Sequence, residues 1–408
     1  MFHDYKTKLK TQELMPKLTP SKPIDLIYIE GPGNIVEALN RWYHNEDFIS
    51  ETSMTFSGQV FSFCKKNNLN TLAISSFSED KQVVFDGFSA MSQPKRMLNG
   101  SLGYYLTQAL HGLRIIGWCI QYKPKYLHIT NGVTFWFMLA PIKLLGIKVI
   151  AQFHNTFWAK GFPPQGKLSR FLLGLDAWFF KHVASAAICC SPEIKRQLGE
   201  IANNKNCPAY VFKAQFYRNH FEKTLPPPNH DAKPFTLVFA GRIETNKGVF
   251  DLLKMAKKLK GEDVVFHICG GGPMLDTLTQ QRDAQALQEN VIIHGRLNRP
   301  DLLNIYDKGH AVIVPTTSDF CEGLPLVAIE AVLLGRPIIT SPLSNALDVL
   351  GNVIVEAEPN NVDSYVSAIL NLKGNQALYQ QKQQACDSLR EQFLDGKEGL
   401  ANVLEKTL

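Results

Sequence analysis

Two segments in the C-terminal half combine charged residues with glycines in a way that could bind an anionic ligand. The first contains Gly241, Arg242 and Lys247, and it lies between the apolar run TLVFA and the amphipathic run VFDLLKMAKKLK. A loop between a strand and a helix brings the donor fork of Arg242, the point charge of Lys247 and free backbone N–H groups together, as a diphosphate requires. Such a charged loop can also be merely solvated, so this segment by itself leaves both interpretations open.

The second segment contains two carboxylates, Glu322 and Glu330, that are eight residues apart. If a helix begins near Leu324, Glu330 lies about two turns inside an otherwise apolar helix. An unpaired carboxylate is costly in such a place. A pair of sugar hydroxyls would satisfy it, and so would a salt bridge to a neighbouring strand or loop. The spacing alone favours neither partner.

The elements that must position these residues alternate between short β-branched runs and longer amphipathic runs, which indicates an α/β fold. The predicted strands of the first half are IDLIYIE, TLAISS, YLHIT, KVIAQFH and AAICCS. After the proline-rich segment 225–234, the predicted strands are TLVFAGRI, DVVFHICGGG, VIIHGRL, HAVIVP and RPIITS. With 408 residues, the sequence predicts two Rossmann-like domains, with a ligand cleft at the carboxyl ends of their strands.

The two charged segments, together with the GGGP turn after the intervening strand, closely resemble the C-terminal domain of family 4 glycosyltransferases of the GT-B fold. The match covers residues 235–370. The residues that match the donor site of the family are Gly241, Arg242, Lys247, Gly271, Arg296, Leu297, Glu322, Gly323, Leu324 and Glu330. The resemblance implies two Rossmann-like domains that face a central cleft.

The same resemblance implies a role for each part of the donor site. The pattern G-R-x4-K-G binds the diphosphate, and Glu330 holds the ribose hydroxyls. Glu322 and the amides around Gly323 and Leu324 hold the donor sugar, while the segment HGRL lines the base. In the N-terminal half, His154 matches a histidine near the transferred sugar, and the loop of Gly31 and Gly33 matches one that approaches the donor phosphates.

The implied domains are residues 1–222 on the acceptor side and residues 223–390 for the nucleotide sugar. A C-terminal helix over residues 391–408 is expected to pack back on the N-terminal domain. The segment YVFKAQFYRNHF lacks the asparagine-glycine turn that is usual near this point in the family, so the acceptor side is less well defined.

The implied reaction is transfer of a sugar from a UDP- or GDP-linked donor to a glycan or lipid-linked acceptor, with retention of anomeric configuration. Polysaccharide or lipopolysaccharide assembly of the bacterial type is the expected context. Fixed cations at the departing diphosphate stabilise the transition state, and no D-x-D pair stands in a suitable loop, so neither a cofactor nor a metal is expected. The alternatives are a catalytically silent nucleotide-sugar-binding subunit, a sugar-nucleotide epimerase and a phosphorylase. The combination of Glu322, Lys247 and His154 favours transfer.

The positive charge of the chain is concentrated in its N-terminal half. Between Asp86 and Asp176 the sequence has no acidic residue. The bases in this stretch are Lys95, Arg96, Arg114, Lys123, Lys125, Lys143, Lys148, Lys160, Lys167 and Arg170. Aromatic residues such as Trp136, Trp158 and Trp178 lie among or beside them, which suits an anionic membrane surface, although the aromatics could equally belong to the core. Nucleic acid is not expected, because no motif for binding it accompanies the charge.

The remaining features point to a cytoplasmic protein, peripheral at most to the inner face of a membrane. The eight cysteines include no C-x-x-C pair, so we expect neither a zinc site nor a disulfide framework. The charged segment of residues 1–20 is not a secretory signal. The apolar stretch 133–151 is interrupted by Pro141, Lys143 and Lys148, so we expect a buried helix and then a strand rather than a membrane span.

Overall fold

The computed structural model of the protein describes Pro20, residues 22–130 and residues 134–408. The N-terminal segment that we expect to lack a signal sequence lies outside the described residues except for Pro20. Val133, at the start of the apolar stretch, also lies outside them.

The N-terminal half is built on an eight-stranded sheet. Its strands are β1 Leu26–Ile29, β2 Thr71–Ser75, β3 Lys81–Phe85, β4 Phe88–Ser92, β5 Tyr126–Thr130, β6 Lys148–Phe153, β7 Ala186–Cys189 and β8 Ala209–Val211. Their order across the sheet is β3-β4-β2-β1-β5-β6-β7-β8, and only β3 is antiparallel to its neighbour. The helices are α1 Ile35–Tyr43, α2 Phe56–Lys66, α3 Gly100–Tyr122, α4 Lys167–His182 and α5 Pro192–Ile201.

The sequence analysis identified β1, β2, β5, β6 and β7 of this sheet but missed β3, the buried strand β4, and β8. The strand β1 has four apolar residues that are all buried, which is typical of a central parallel strand. By contrast, β3 is largely exposed and carries polar residues. The turn that joins β3 to β4 is Asp86-Gly87, with a φ of 74° at Gly87, and this dipeptide was an available signal for a hairpin.

The apolar stretch expected to form a buried helix folds as a 3-10 helix, Trp136–Leu145, with Pro141 inside it. It ends at Gly146 in the left-handed conformation, and β6 follows. Several of the aromatic residues proposed for a membrane surface, including Trp136 and Trp158, belong to the core, whereas Trp178 is half-exposed. Within the described residues, no helix is both long and apolar enough to cross a bilayer.

The C-terminal half contains a six-stranded parallel sheet in the order β11-β10-β9-β12-β13-β14. Its strands are β9 Phe235–Ala240, β10 Val264–Cys269, β11 Val291–Gly295, β12 Ala311–Val314, β13 Ile338–Thr340 and β14 Ile354–Glu356. The helices are α6 Val249–Lys258, α7 Leu275–Ala284, α8 Arg299–Tyr306, α9 Leu326–Leu333, α10 Leu347–Leu350, α11 Val362–Gly374 and α12 Gln376–Arg390.

The chain returns to the N-terminal half after α12. The segment predicted as one helix over residues 391–408 contains a 3-10 turn, Glu391–Phe393, and a short helix, α13 Leu400–Leu404. Leu400, Val403 and Leu404 are buried in the hydrophobic core of the N-terminal sheet. The change from one sheet to the other occurs between β8 and β9, so the boundary at residues 222 and 223 stays a prediction.

The carboxyl ends of the two sheets face each other. His154 and Thr156 follow β6, and they contact the segment that follows β12: the carbonyl oxygen of His154 lies against Gly323, and the Thr156 hydroxyl donates to the carbonyl oxygen of Glu322 at 3.1 Å. Residues placed after these strands therefore meet in the cleft between the two halves.

Candidate active site

The loop after β9 is shaped by glycines. Gly248 has a φ of 73° and caps the start of α6, and a Cβ atom there would lie 2.1 Å from the carbonyl oxygen of Pro315. A Cβ atom on Gly270 would lie 1.8 Å from the carbonyl oxygen of Gly241. Only glycine fits these two close backbone approaches. They hold the loop next to the neighbouring strand ends, with the free N–H groups of α6 beside it.

The two cations of this loop have different surroundings. The side chain of Arg242 is 64% exposed, and its Nη1 lies 3.0 Å from Glu244 Oε1. The side chain of Lys247 is only 16% exposed; its Nζ donates to Glu322 Oε2 at 2.6 Å and lies 3.8 Å from the centre of the Phe320 ring. Lys247 is therefore a fixed charge, whereas Arg242 can reorient towards a ligand.

Glu322 is held at the junction of the two halves. Its Oε2 also accepts a hydrogen bond from the Thr316 hydroxyl at 3.3 Å. Its carbonyl oxygen accepts from Thr156 in the N-terminal half and from the side-chain amide of Asn345 at 2.5 Å. A Cβ atom on Gly323 would lie 1.8 Å from the carbonyl oxygen of His154, so the two halves meet there without room for a side chain.

Glu330 lies in α9, which begins at Leu326 rather than near Leu324 because Pro325 occupies its N-cap position. The carboxylate is therefore in the second turn of the helix, not two turns inside it. The hydroxyl of Thr52 donates to Oε1, and the hydroxyl of Tyr306 donates to Oε2 at 2.7 Å. Burial raises the pKa of Glu330, and these two hydrogen bonds oppose the rise. Two hydroxyls thus occupy this carboxylate, not the alternative salt bridge.

The residues matched to the base-binding segment lie beside the loop after β9. Gly271 follows β10, and a Cβ atom there would lie 3.6 Å from Cβ of Arg296. Arg296 is exposed, and Leu297 is half-buried against the C-terminal core. Burial raises the pKa of Glu51, which the positive charge of Arg296 opposes, so a residue of the N-terminal half reaches this segment.

His154 is a half-buried, neutral imidazole. Burial lowers its pKa to about 4. Its Nε2 lies 2.7 Å from the side-chain nitrogen of Gln152, and the ring packs 4.5 Å from that of Phe56. Because an amide nitrogen only donates, Nε2 accepts this hydrogen bond and Nδ1 carries the ring proton. His154 therefore supplies a hydrogen bond, rather than a charge, at pH 7.

The glycine loop after β1 lies at the same edge of the sheet as His154, because β1, β5 and β6 run parallel. The carbonyl oxygen of Gly31 accepts from the backbone of Ser76, and a Cβ atom on Gly33 would lie 3.3 Å from Glu30 Oε1. Burial raises the pKa of Glu30 to about 7. The loop is thus tied to the segment after β2, and a titratable carboxyl group lies beside Gly33.

A cavity of about 380 Å³ brings six of the predicted residues together, namely Gly241, Arg242, Lys247, Glu322, Leu324 and Glu330. The other predicted residues lie outside its lining, namely Gly31, Gly33, His154, Gly271, Arg296, Leu297 and Gly323. Of these, His154 and Gly323 contact each other behind Glu322. The cavity has the cations and carboxylates that a nucleotide diphosphate sugar requires.

Two family models match the chain, one in each half. The model of glycosyl transferases group 1 matches residues 220–388, and the model of glycosyltransferase family 4 matches residues 79–211. The chain belongs to glycosyltransferase family 4. The segments that carry this glycosyltransferase's cations and carboxylates all lie within the first of the two matches.

Relatives and solved structures agree with this assignment. Glycogen synthase of Mycobacterium tuberculosis is 21% identical over 295 residues, which are 70% of this chain and 69% of that protein. D-inositol 3-phosphate glycosyltransferase of Mycolicibacterium smegmatis is 32% identical over 111 residues, 26% of this chain and 24% of that protein.

Among solved structures, Anabaena HepE in complex with UDP-glucose superposes with a TM-score of 0.63 at 14% identity, covering 94% of this glycosyltransferase and 100% of that chain. The lipopolysaccharide outer core galactosyltransferase WaaB superposes with a TM-score of 0.61 at 15% identity, with coverage of 94% and 100%. At these identities the structures establish the GT-B fold.

Sequence reasoning missed several residues that complete the site of this glycosyltransferase. Thr52 and Tyr306 bind Glu330 from distant parts of the chain, and no local pattern marks either of them. Thr316 directly follows the strand HAVIVP, so its place at a strand end was an available signal.

The described residues show no group of three or more His, Cys, Asp or Glu side chains that could hold a metal ion. All eight cysteines are unpaired, and only Cys321 is not buried.

Proposed function

We propose that this glycosyltransferase moves a hexosyl group from a UDP- or GDP-linked sugar to a glycan or lipid-linked acceptor, with retention of anomeric configuration. Polysaccharide or lipopolysaccharide assembly of the bacterial type is the proposed context. The observation that carries the proposal is the shared cavity of about 380 Å³ that Arg242, Lys247, Glu322 and Glu330 line. The complex of HepE with UDP-glucose supports uracil as the base of the donor.

Arg242 and Lys247 are proposed to bind the leaving diphosphate. Negative charge grows on the diphosphate as the glycosidic bond breaks, so fixed cations stabilise the transition state more than the ground state. The Lys247 ammonium is already fixed by Glu322, and the exposed Arg242 side chain is free to fold over the phosphates. We propose that these two cations supply the charge without a metal ion.

Glu330 is proposed to bind the ribose. Its two oxygens already accept from two hydroxyls, and a ribose offers two adjacent hydroxyls with the same chemistry. The Thr52 hydroxyl comes from the N-terminal half. A ribose hydroxyl is proposed to replace it on Glu330 when the donor binds. Glu322 and the amides of Gly323 and Leu324 are proposed to hold the sugar.

The remaining predicted residues are proposed to complete the site. The pocket for the base is lined by Gly271, Arg296 and Leu297. His154 donates a hydrogen bond from Nδ1 near the sugar, and the backbone of the loop at Gly31 and Gly33 approaches the phosphates.

The surface of α3 supports peripheral attachment to the inner face of an anionic membrane. Exposed apolar residues recur along one side of this helix at spacings of three, four or seven, namely Leu102, Leu106, Leu110, Leu113 and Ile120. We call these five residues the α3 stripe. Arg96 and Arg114 lie beside it, and an apolar stripe flanked by cations suits the surface of an anionic bilayer.

Turnover of two variants tests the donor site. With a nucleotide-sugar panel and release of nucleoside diphosphate as the readout, Lys247→Ala should lower kcat by roughly a hundredfold to a thousandfold, the loss typical of one preorganised electrostatic group. Glu322→Gln keeps the shape but removes the charge that fixes Lys247, so it should also lower kcat. The control Lys254→Ala removes an exposed lysine of α6 and should leave kcat unchanged.

Unchanged turnover in both Lys247→Ala and Glu322→Gln would contradict the proposed donor site. Tight binding of a nucleotide sugar without transfer to any acceptor would instead favour a catalytically silent binding subunit.

A further inference from the structure

A second cavity, of about 650 Å³, lies between α3 and the segments that follow β2 and β4. Because β1, β2, β4, β5 and β6 run parallel, it lies at the same edge of the sheet as the glycine loop and His154. The charged residues among its described lining are Lys95, Arg96, Arg114 and Asp80. Three cations face one carboxylate there, so this cavity attracts anions.

Hydrogen bonds hold two of the cations in place. Arg114 donates to the carbonyl oxygen of Pro94 at 3.2 Å and to Gln93 Oε1 at 2.8 Å, which fixes the segment after β4 on α3. Lys95 Nζ donates to Gln108 Oε1 at 3.4 Å. The side chains are thus oriented by the fold, as a binding site requires.

His111 supplies an independent sign of a missing ligand. It lines the cavity and is 3% exposed, yet within the described part of the chain neither of its ring nitrogens has a hydrogen-bond partner. Buried polar groups normally have partners. Burial, together with the charges of Lys95 and Arg114, lowers the pKa of His111 to about 3, so the ring is neutral and offers one N–H donor.

The cavity continues into the α3 stripe. Leu110 both lines the cavity and belongs to the stripe, where it is 48% exposed. A ligand that joins a phosphate to an apolar chain could therefore place the phosphate among the cations and the chain along the helix.

We propose that the cavity of Lys95, Arg96, His111 and Arg114 binds the phosphate group of a lipid-linked acceptor, whose apolar chain lies along the α3 stripe. This inference rests on the proposed transfer to a lipid-linked acceptor and names the chemistry that recognises it. It places the acceptor phosphate at the edge of the sheet where His154 and the donor site meet.

Calorimetric titration with inorganic pyrophosphate tests the cavity. The titrations use the double variant Arg242→Ala, Lys247→Ala, so that neither cation of the proposed diphosphate site of the donor contributes. Arg96→Gln, added to this background, alters an exposed side chain and spares the hydrogen bonds of Arg114. It should weaken binding by roughly tenfold or more, the usual effect of losing a hydrogen bond to a charged group. Arg170→Gln, which removes the same charge from α4, should not.

Equal pyrophosphate affinity with and without Arg96→Gln would overturn the proposed acceptor cavity. The proposed donor site would not be affected by this result, because its test is the turnover of donor in a separate experiment.

Vesicles then distinguish a lipid phosphate from a free one. Phosphatidylcholine vesicles containing either phosphatidic acid or phosphatidylserine are matched for zeta potential, and only the first presents a phosphomonoester. In these measurements the protein keeps its natural donor-site residues. It should bind vesicles with phosphatidic acid more tightly than vesicles with phosphatidylserine. Arg96→Gln should lose this preference, and Arg170→Gln should keep it. Pyrophosphate binding without any preference for phosphatidic acid would assign the cavity to a soluble phosphate and overturn the lipid-borne acceptor.

Discussion

Lys247 and Glu322 form an ion pair that lines the cavity of about 380 Å³. Both side chains are largely buried, at 16% and 10% exposure, so removal of one leaves the other charge without its partner in a poorly hydrated place. The cost of such an uncompensated charge is about 3–5 kcal/mol in a fully buried pair and less here. Variants of either residue therefore need a stability measurement beside the kinetic one.

The free energy of unfolding should depend on pH through the carboxyl group of Glu30. Burial raises the pKa of this carboxyl group from the ordinary value of 4.5 to about 7, so between these values the unfolded chain has lost the proton that the folded chain keeps. Stability therefore falls as pH rises through this window. Glu30→Gln cannot ionise, so it should gain stability relative to the natural protein by about 1–3 kcal/mol between pH 5 and pH 8.

Urea unfolding at the two pH values measures this difference. Glu46→Gln changes an exposed carboxylate of the same half and should show a difference that does not vary with pH. A Glu30→Gln effect that is equally independent of pH would contradict the raised pKa of Glu30.

The site residues that sequence reasoning identified share one property: they lie in segments whose local pattern already shows a strand followed by a charged turn. Arg242, Lys247 and Glu322 could be placed in this way. Thr52 and Tyr306 could not, because they reach Glu330 from positions 278 and 24 residues away, and only the folded chain brings their hydroxyls to the carboxylate.

At the level of elements, the buried parallel strands could be predicted because burial on both faces produces continuous apolar runs. The hairpin of β3 and β4 escaped prediction for two reasons. The edge strand β3 is mostly exposed and begins with two polar residues, and serines interrupt the apolar residues of the buried strand β4. The sequence analysis placed the start of α9 near Leu324, although the helix begins at Leu326. The fixed φ of Pro325 is compatible with the N-cap position and with the first turn, so the sequence does not distinguish the two.

The segment from Asp47 to Thr52 connects the N-terminal half to the proposed donor site. Arg299, at the start of α8, donates to the carbonyl oxygen of Glu51 at 2.8 Å and to Asp47 Oδ2 at 2.6 Å. The backbone N–H of Arg299 also donates to the carbonyl oxygen of Ile49 at 2.8 Å. These bonds hold the Thr52 hydroxyl on Glu330, where the ribose is proposed to bind.

Removal of this arginine side chain should release the segment. In Arg299→Ala, amide hydrogen exchange over residues 47–52 should quicken by about tenfold or more, because hydrogen bonds to a charged group contribute roughly 1.5–3 kcal/mol. Exchange measured by mass spectrometry on the ligand-free protein checks this. Arg282→Ala removes an arginine paired within the C-terminal half and should leave residues 47–52 unchanged. Equal exchange in both variants would show that Arg299 does not hold the segment.

The whole molecule separates its two proposed tasks, donor binding and membrane attachment, between its halves. The donor cavity lies in the C-terminal half, whereas the acid-free stretch and the α3 stripe lie in the N-terminal half. The sequence indicated the charge asymmetry but assigned the membrane contact to aromatic residues, several of which are core. Aromatic content alone cannot separate core from surface, because a buried Trp136 and a half-exposed Trp178 look alike in sequence.

Attachment to a membrane should depend on the α3 stripe as well as on charge. Replacing Leu106 and Leu113 together with serine removes apolar area and keeps every charge, so affinity for phosphatidylserine-containing vesicles should fall by roughly tenfold or more, since an exposed leucine that becomes buried contributes about 1.5–3 kcal/mol. Leu370→Ser, on α11 of the other half, should have no effect. Co-sedimentation at low and high salt measures both contributions. Binding that is lost in high salt but is unaffected by the double replacement would show that the cations act alone and that the stripe does not enter the bilayer.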